Sequence, residues 1–539
     1  MKKIYLIISL MILLVTSCSD FLDTYPKDAL SPSTTWQTED DAEKFLVGLY
    51  NGWIWGEEFF YLDCASDIGF NFHTHEGWRQ IGNGTLTAAN PGNSFYNFST
   101  IRRVITFLEN IDNVPFSDEA DKLDMIGQAK TIRAYNYFKM NFWYGGVPII
   151  DSYVDAEEAK VPRNSETEVK EYVYKEIDEA IGYLKVRPNS DKGRVGKATA
   201  LAVKMRSALY WGDYQRALDA ARAIIDLNVY ELDSDYTNQF TLAGQNSPEI
   251  ILSNQRIKNL ASEWIVTIPN NADGGWSSMV PTQNLIDLYE MENGLTKEEA
   301  GSGYDPAHPF AGRDPRMAMT VLYPGREWGS GYNGVLNTLD RLLPDGSPNA
   351  NFPEGANNAS KTALTWSKYV VPLEQYERDF YTTNTQYIVF RYAEVLLTLA
   401  EAANELTGPS EEVYNALNEI RNRVGMPDVD RTKYNTKETL RELIRRERSV
   451  ELAGEGFRRA DIVRWKDASG KMIAETVLNK PLTRIDGTVD YNEPDPFKRA
   501  TVTGTVIIED RKFTPNNRYL PIPQGNIDNN PALVQNQGY

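Results

Sequence analysis

The stretch Tyr210-Trp211-Gly212-Asp213-Tyr214-Gln215-Arg216-Ala217, running on to Ala220, Ala221, Ile224 and Ile225, decides the fold. Apolar residues recur at helical spacing on both sides of it, over residues 198–211 and 214–227. The Gly-Asp turn between them lets the two helices fold back antiparallel, and the small alanines let them approach closely. A hairpin of this kind cannot bury its faces alone, so several must stack.

Working outward, a second and looser copy lies at residues 392–421, where Thr407-Gly408-Pro409 separates helical patterns over 387–406 and 410–424. Both copies resemble the tetratricopeptide repeat. Further helical periodicity spans residues 40–55, 101–111, 120–143 (ending at Gly145-Gly146), 166–184 behind the N-cap Ser165, 436–454 and a short 457–465. Four stretches lack any period: 62–99, 269–366, 466–490 and the tail from 511. Loops this long inside a compact domain are usually functional.

The chain has 539 residues, with three His and two Cys. So few ligands leave no room for a multi-His metal centre, a disulfide framework or a zinc ribbon, and no cofactor is expected. A net charge of −19 argues against a polyanion such as nucleic acid as partner. At the N-terminus, Lys2 and Lys3 precede an apolar run over 4–15 that ends in Thr16-Ser17-Cys18. This reads as a signal peptide over 1–17. Leu14-Val15-Thr16-Ser17-Cys18 resembles a bacterial lipobox, with Cys18 the lipidated residue. Cys64 reads as a small core residue. No later run is long and apolar enough to cross a bilayer, so the membrane is reached through the lipid alone.

Further blocks run in order along almost the whole chain. They are Ile132-Arg133-Ala134-Tyr135-Asn136-Tyr137-Phe138 with Tyr144-Gly145-Gly146-Val147-Pro148, Tyr289-Glu290-Met291-Glu292-Asn293-Gly294, Arg313-Asp314-Pro315-Arg316, and Arg391-Tyr392-Ala393-Glu394-Val395-Leu396-Leu397. Arg446-Glu447-Arg448 through Glu455-Gly456 and Arg464-Trp465, Leu520-Pro521-Ile522-Pro523, and the closing Asn529-Asn530-Pro531 to Tyr539 complete the set. Together they resemble the SusD/RagB family of outer-membrane glycan-binding lipoproteins of Bacteroidota. The resemblance implies a mainly α fold of about four stacked tetratricopeptide-like helix pairs, a loop-rich ligand face and a few short strands. It implies one domain over 18–539, with irregular insertions near 62–99 and 269–366. It also implies an oligosaccharide ligand, a SusC-like TonB-dependent transporter as partner, an outer-membrane, cell-surface location and no catalysis.

Glu447, Glu451 and Glu455 fall at i, i+4 spacings and are expected to pair with Arg445, Arg448, Arg458 and Arg464 rather than to act as acids. Glu394 and Glu401 sit on a largely apolar helical run with Arg391 nearby. The ligand site is expected among loop aromatics, because a flat ring matches the C–H face of a sugar. Trp53, Trp55, Trp143, Trp211 and Trp465 fall on or beside predicted helices and read as core; Trp36 and Trp264 fit neither group. Trp78, Trp276 and Trp328 fall in loops and are the expected platforms, with His75, Arg79, Asp273 and Tyr332 as polar and aromatic neighbours. Trp366 ranks below them. His73 and His75 could ligate a metal only with help from carboxylates such as Asp67; a hydrogen-bonding or surface role suits them better. Two other functions compete: a helical glycoside hydrolase, for which no motif speaks, and a helical-repeat scaffold that binds peptides.

Overall fold

The main helices of the computed structural model, which describes residues 36–54, 56, 58–188 and 190–539, are α1 (Glu39–Leu49), α2 (Ser99–Asn110), α3 (Glu119–Tyr144), α4 (Glu166–Tyr183), α5 (Lys197–Tyr210), α6 (Tyr214–Asp226), α7 (Tyr392–Thr407), α8 (Glu411–Arg423), α9 (Lys437–Glu451) and α10 (Arg458–Arg464). The signal segment, Cys18 and Trp55 lie outside the described residues. Local chemistry sets the helix ends. Thr38 with Asp41, and Ser165 with Glu168, form reciprocal capping boxes that satisfy free amides at the starts of α1 and α4. Gly145 ends α3 in the left-handed region, at φ 68°. At the deciding hairpin, the Gly212 and Asp213 amides donate back to Leu209 and Ala208, and the Asp213 carboxylate caps α6 at the Arg216 amide.

Helices pack in neighbouring pairs: α1 on α2, α3 on α4, α5 on α6, α7 on α8. α6 packs in turn on α7, and α7 on α9, so the pairs stack as the sequence predicts. The seam of α6 is small and apolar, with Ala217, Leu218, Ala220, Ala221 and Ile224 buried. Buried apolar residues from Trp36 to Leu533 form one contiguous cluster. Cys64 belongs to it, and burial pushes its thiol up, away from reactivity.

Two expectations are corrected. Residues 387–391 are not the start of a helix. Tyr387–Arg391 is a strand, β4, buried along its whole length and paired antiparallel with β2 (Ile250–Asn254). Tyr-Ile-Val-Phe is aromatic and β-branched, and a partner strand offers it burial on both sides. Residues 482–489 are not irregular either: Leu482–Val489 (β5) pairs with Ala500–Glu509 (β6).

A seam of charge runs through the core. Arg391 binds Glu249 (2.6 Å), Glu451 (2.8 Å) and Glu455 (2.7 Å). Arg316 binds Asp314 (2.6 Å), Glu447 (3.0 Å) and Glu451 (3.2 Å). Arg421, Arg423 and Lys368 complete the seam on Glu447, Glu451 and Glu455. The three glutamates are ion-paired, as expected, but with other partners. Arg445, Arg448, Arg458 and Arg464 reach Glu442, Asp461, Asp67 and Glu401 instead. Arg448 is buried as well, but its guanidinium is turned onto Asp461 of α10, and Arg445 lies on Glu442 one turn earlier in α9. Glu394 pairs with Arg206 (2.6 Å) from α5. Burial pushes the Glu451 carboxyl up, but Arg423, Arg391 and Arg316 outweigh it and hold it well below the usual carboxylate range.

Candidate functional site

Two long loops are stitched together by a pairing across about 200 residues of sequence. β1 (Gly69–Asn71) runs antiparallel to β3 (Met279–Pro281), with Phe70 opposite Val280. Asn71 Nδ2 donates to the Ser278 carbonyl at 2.9 Å, and the Phe72 amide donates to the same oxygen. This brings the His73–His75 turn beside Trp276: the His73 ring hydrogen-bonds the Trp276 backbone. Burial lowers the basicity of His73, and that hydrogen bond opposes the shift. His73 and His75 ring centroids lie 5.7 Å apart, and His75 is exposed.

A third loop completes the site. The Glu263 and Thr383 backbones exchange hydrogen bonds (2.9 and 3.1 Å), and the Ile265 amide donates to Phe380 at 3.0 Å. Side chains alternate across such a pair. Glu263 and Ile265 point in, and Trp264 between them points out at 51% exposure. Opposite, Phe380 and Thr383 are buried, and Tyr381 points out at 45%. Glu263 is held beneath by Arg256 and by the Trp264 amide. Burial pushes the Glu263 carboxyl up against these contacts.

Trp264, Trp276 and Tyr381 thus meet at the surface. Their centroids are 6.1, 5.5 and 6.3 Å apart, with interplanar angles of 80°, 82° and 70°. Three rings mutually close to perpendicular form a corner, not a flat strip. Trp276 is half-buried and anchors the corner to the core. The turn that carries it is fixed: a Cβ on Gly275 would lie 2.2 Å from the Pro269 carbonyl oxygen. The next residue, Ser277, adopts φ 42°, a strained conformation for a residue with a side chain.

The remaining expected residues divide. Asp273 and Trp328 do meet, but under the surface: the Trp328 indole Nε1 donates to Asp273 Oδ2 at 2.7 Å, and Trp328 is 9% exposed. Burial pushes the Asp273 carboxyl up, against hydrogen bonds from Ser330, Trp328 and Asn270. The pair braces the 270–276 turn, and Trp328 presents no ring face at the Trp264–Trp276–Tyr381 corner. Trp78 is corrected outright. It is 1% exposed, stacked on Tyr61 (5.4 Å, 9°) and tilted against Phe95. Although it lies in a stretch without period, it opens a one-and-a-half-turn helix, Trp78–Asn83, whose apolar side faces the core. Trp366 is fully buried too. Arg79 is held by Glu509 (2.6 Å) and the Phe72 carbonyl, and Tyr332 packs edge-on against Tyr491. Asp67 pairs with Arg458 at 2.8 Å, so it is not available to the histidines. Among the described residues, no three His, Cys, Asp or Glu side chains are placed to hold a metal, and no helix is long and apolar enough to cross a membrane.

Comparison with known proteins adds the following. A family model described as the SusD family matches residues 234–539. A second, described as starch-binding associating with outer membrane, matches residues 20–209. SusD-like protein P25 of Formosa agariphila is 27% identical over 478 residues, covering 83% of this chain and 87% of its own. A SusD-like carbohydrate binding protein of Bacteroides fragilis has 26% identity and a TM-score of 0.80, over 93% of this chain and 100% of that one. A second SusD-like structure from that species has 25% identity and a TM-score of 0.78, over 96% and 100%. A laminarin binding SusD-like protein, at 20% identity and a TM-score of 0.66, shares the fold over 94% and 100%.

Proposed function

The chain belongs to the SusD family, and from that premise we propose that it is a lipid-anchored, cell-surface protein that binds an oligosaccharide and passes it to a TonB-dependent outer-membrane transporter. The exposed aromatic corner of Trp264, Trp276 and Tyr381 carries this reading. Large rings left in water are costly unless something covers them. A sugar has an apolar C–H face that suits a ring face, and hydroxyls that suit the polar rim. The corner shape favours a chain end or a bend over a flat ribbon, since a planar ligand can lie against only one of three perpendicular rings.

The residues named for the site in the sequence narrow accordingly. Trp276 and His75 remain candidates for ligand contact, Trp264 and Tyr381 join them, and Asp273 and Trp328 support the turn behind. Glu263, the carboxylate nearest the corner in sequence, is engaged by Arg256, which suits capture better than hydrolysis. The likeness to a carbohydrate binding and a laminarin binding protein supports a glycan ligand. Lipid attachment at Cys18 would hold the protein at the membrane.

A panel of soluble oligosaccharides, followed by both binding and release of reducing ends, tests the reading. Saturable binding without new reducing ends is expected. Release of reducing ends would replace it with a hydrolase, and no binding to any glycan, with the transporter still co-purifying, would replace it with a scaffold.

A further inference from the structure

A separate cleft of about 990 Å³ lies on the other side of the Asp273–Trp328 brace. Trp328, Phe240, Met317, Met319 and Phe497 contribute its apolar wall. Two of its charged groups belong to the core seam. Lys368, at the back, is bound to Glu455, and Asp314 is bound to Arg316. Arg313 and Arg326 also line the cleft, and neither makes an ion pair among the described residues. Arg313 donates to three carbonyls, those of Pro309, Ile286 and Tyr289. Arg326 donates through Nη1 to the carbonyls of Ala318 and Val321, and among the described residues its other nitrogens donate to no acceptor. The other acids on the lining, Glu292, Asp305 and Asp495, engage neither arginine; Asp495 lies 3.8 Å from Lys498, and Glu292 and Asp305 are exposed to water.

The contrast with the seam is chemical. Arg316 and Arg391 have carboxylates on every side, while Arg326 is half-buried with none among the described residues, in a chain that carries 75 acids against 56 bases. Burial lowers the Arg326 guanidinium from its ordinary value, with only the Tyr323 phenol acting against it. A partly desolvated guanidinium with donors to spare is the standard receptor for a planar or tetrahedral oxyanion. From this juxtaposition of an unpaired Arg326, the Arg313 charge and an indole wall, we infer that the cleft is a second binding site for a sugar bearing an oxyanion, a carboxylate or a sulfate. The oxyanion sits on Arg326 and the sugar ring against Trp328. The net negative charge of the chain does not oppose this, because it acts over the whole surface and is screened by salt, whereas contact with a half-buried cation is screened much less.

The Trp328 indole N–H reports on the cleft directly, and its resonance in a ¹H–¹⁵N spectrum of the whole protein is identified by its loss in Trp328→Phe. The probes are D-glucuronate, inorganic sulfate and D-glucose. Glucuronate and sulfate should each move the resonance saturably, and glucose should not. A response to glucuronate alone assigns the site to uronates, and a response to sulfate alone to sulfated sugars. Arg326→Gln should weaken the response at least tenfold. Because Arg326 also braces Ala318 and Val321, Ala311→Trp, which fills the cleft without touching those carbonyls, is the second variant and should abolish it. No shift with either anion up to about 50 mM, the weak limit of a specific contact, would overturn the proposal. So would an equal response to glucose, or undiminished binding in a folded Arg326→Gln or Ala311→Trp protein.

Discussion

The core seam and the surface corner are built from expensive side chains and treat them in opposite ways. In the seam, Arg391, Arg316, Glu451 and Glu455 are removed from water and every charge is answered by another. At the corner, Trp264 and Tyr381 stay half in water and are answered only by each other and by Trp276. A buried pair is poor proof of net stabilisation, but removing one partner leaves an uncompensated charge. An exposed ring contributes little to folding and is free to contribute to binding. The seam should therefore fail through stability and the corner through affinity.

The largest effect is expected in the seam. Glu451→Ala leaves Arg391, Arg423 and Arg316 short of a carboxylate and should cost about 3–5 kcal/mol in urea unfolding. A variant that unfolds like wild type would show that the seam is not the keystone of the scaffold. The pH response follows from a separate buried pair. Burial pushes the Glu401 carboxyl up, but Arg464 outweighs it and holds it at about 2, against 4.5 for the free side chain. A depressed carboxylate stabilises fully above its unfolded value and loses that contribution as pH falls toward its folded one. Helical content should accordingly decline between about pH 4.5 and 2, as followed by circular dichroism, and the decline should be shallower in Arg464→Leu.

Trp78→Ala comes next, at about 3–5 kcal/mol of stability, as for other fully buried large rings. Ligand affinity of its folded fraction should be unchanged, which separates it from the corner. Trp276→Ala crosses the divide: it should weaken oligosaccharide binding by about 1–3 kcal/mol and also shift the unfolding midpoint measurably, because the ring is half-buried. The smallest effect is expected for His75→Ala, within about 0.5 kcal/mol in calorimetric affinity and in stability, as for an exposed rim residue.

The scaffold was legible because its signals are local. The Gly212-Asp213 turn, the Ser165 cap and the Gly145 stop each act within a few residues, and each does what its chemistry dictates. The strand at Tyr387–Arg391 was not legible because what makes it a strand is β2, more than 130 residues away. The site was legible in part for the same reason. Trp276 could be read from its place after Asp273-Gly274-Gly275. Trp264 and Tyr381 could not, because they become neighbours only through the Glu263–Thr383 pairing. A trace was present: Glu263, Trp264 and Ile265 alternate in, out and in. Trp78 shows the converse error. A position outside the regular periods does not imply exposure, since the Trp78–Asn83 helix is too short to display a period.

The most direct measurement is the affinity of Trp264→Ala for an oligosaccharide that the wild-type protein binds, taken by calorimetry beside its thermal unfolding midpoint. Affinity at least tenfold weaker, with the midpoint within about 2 °C of wild type, is the expected pairing for a half-exposed ring that serves a ligand. Unchanged affinity would contradict a ligand site at the corner of Trp264, Trp276 and Tyr381.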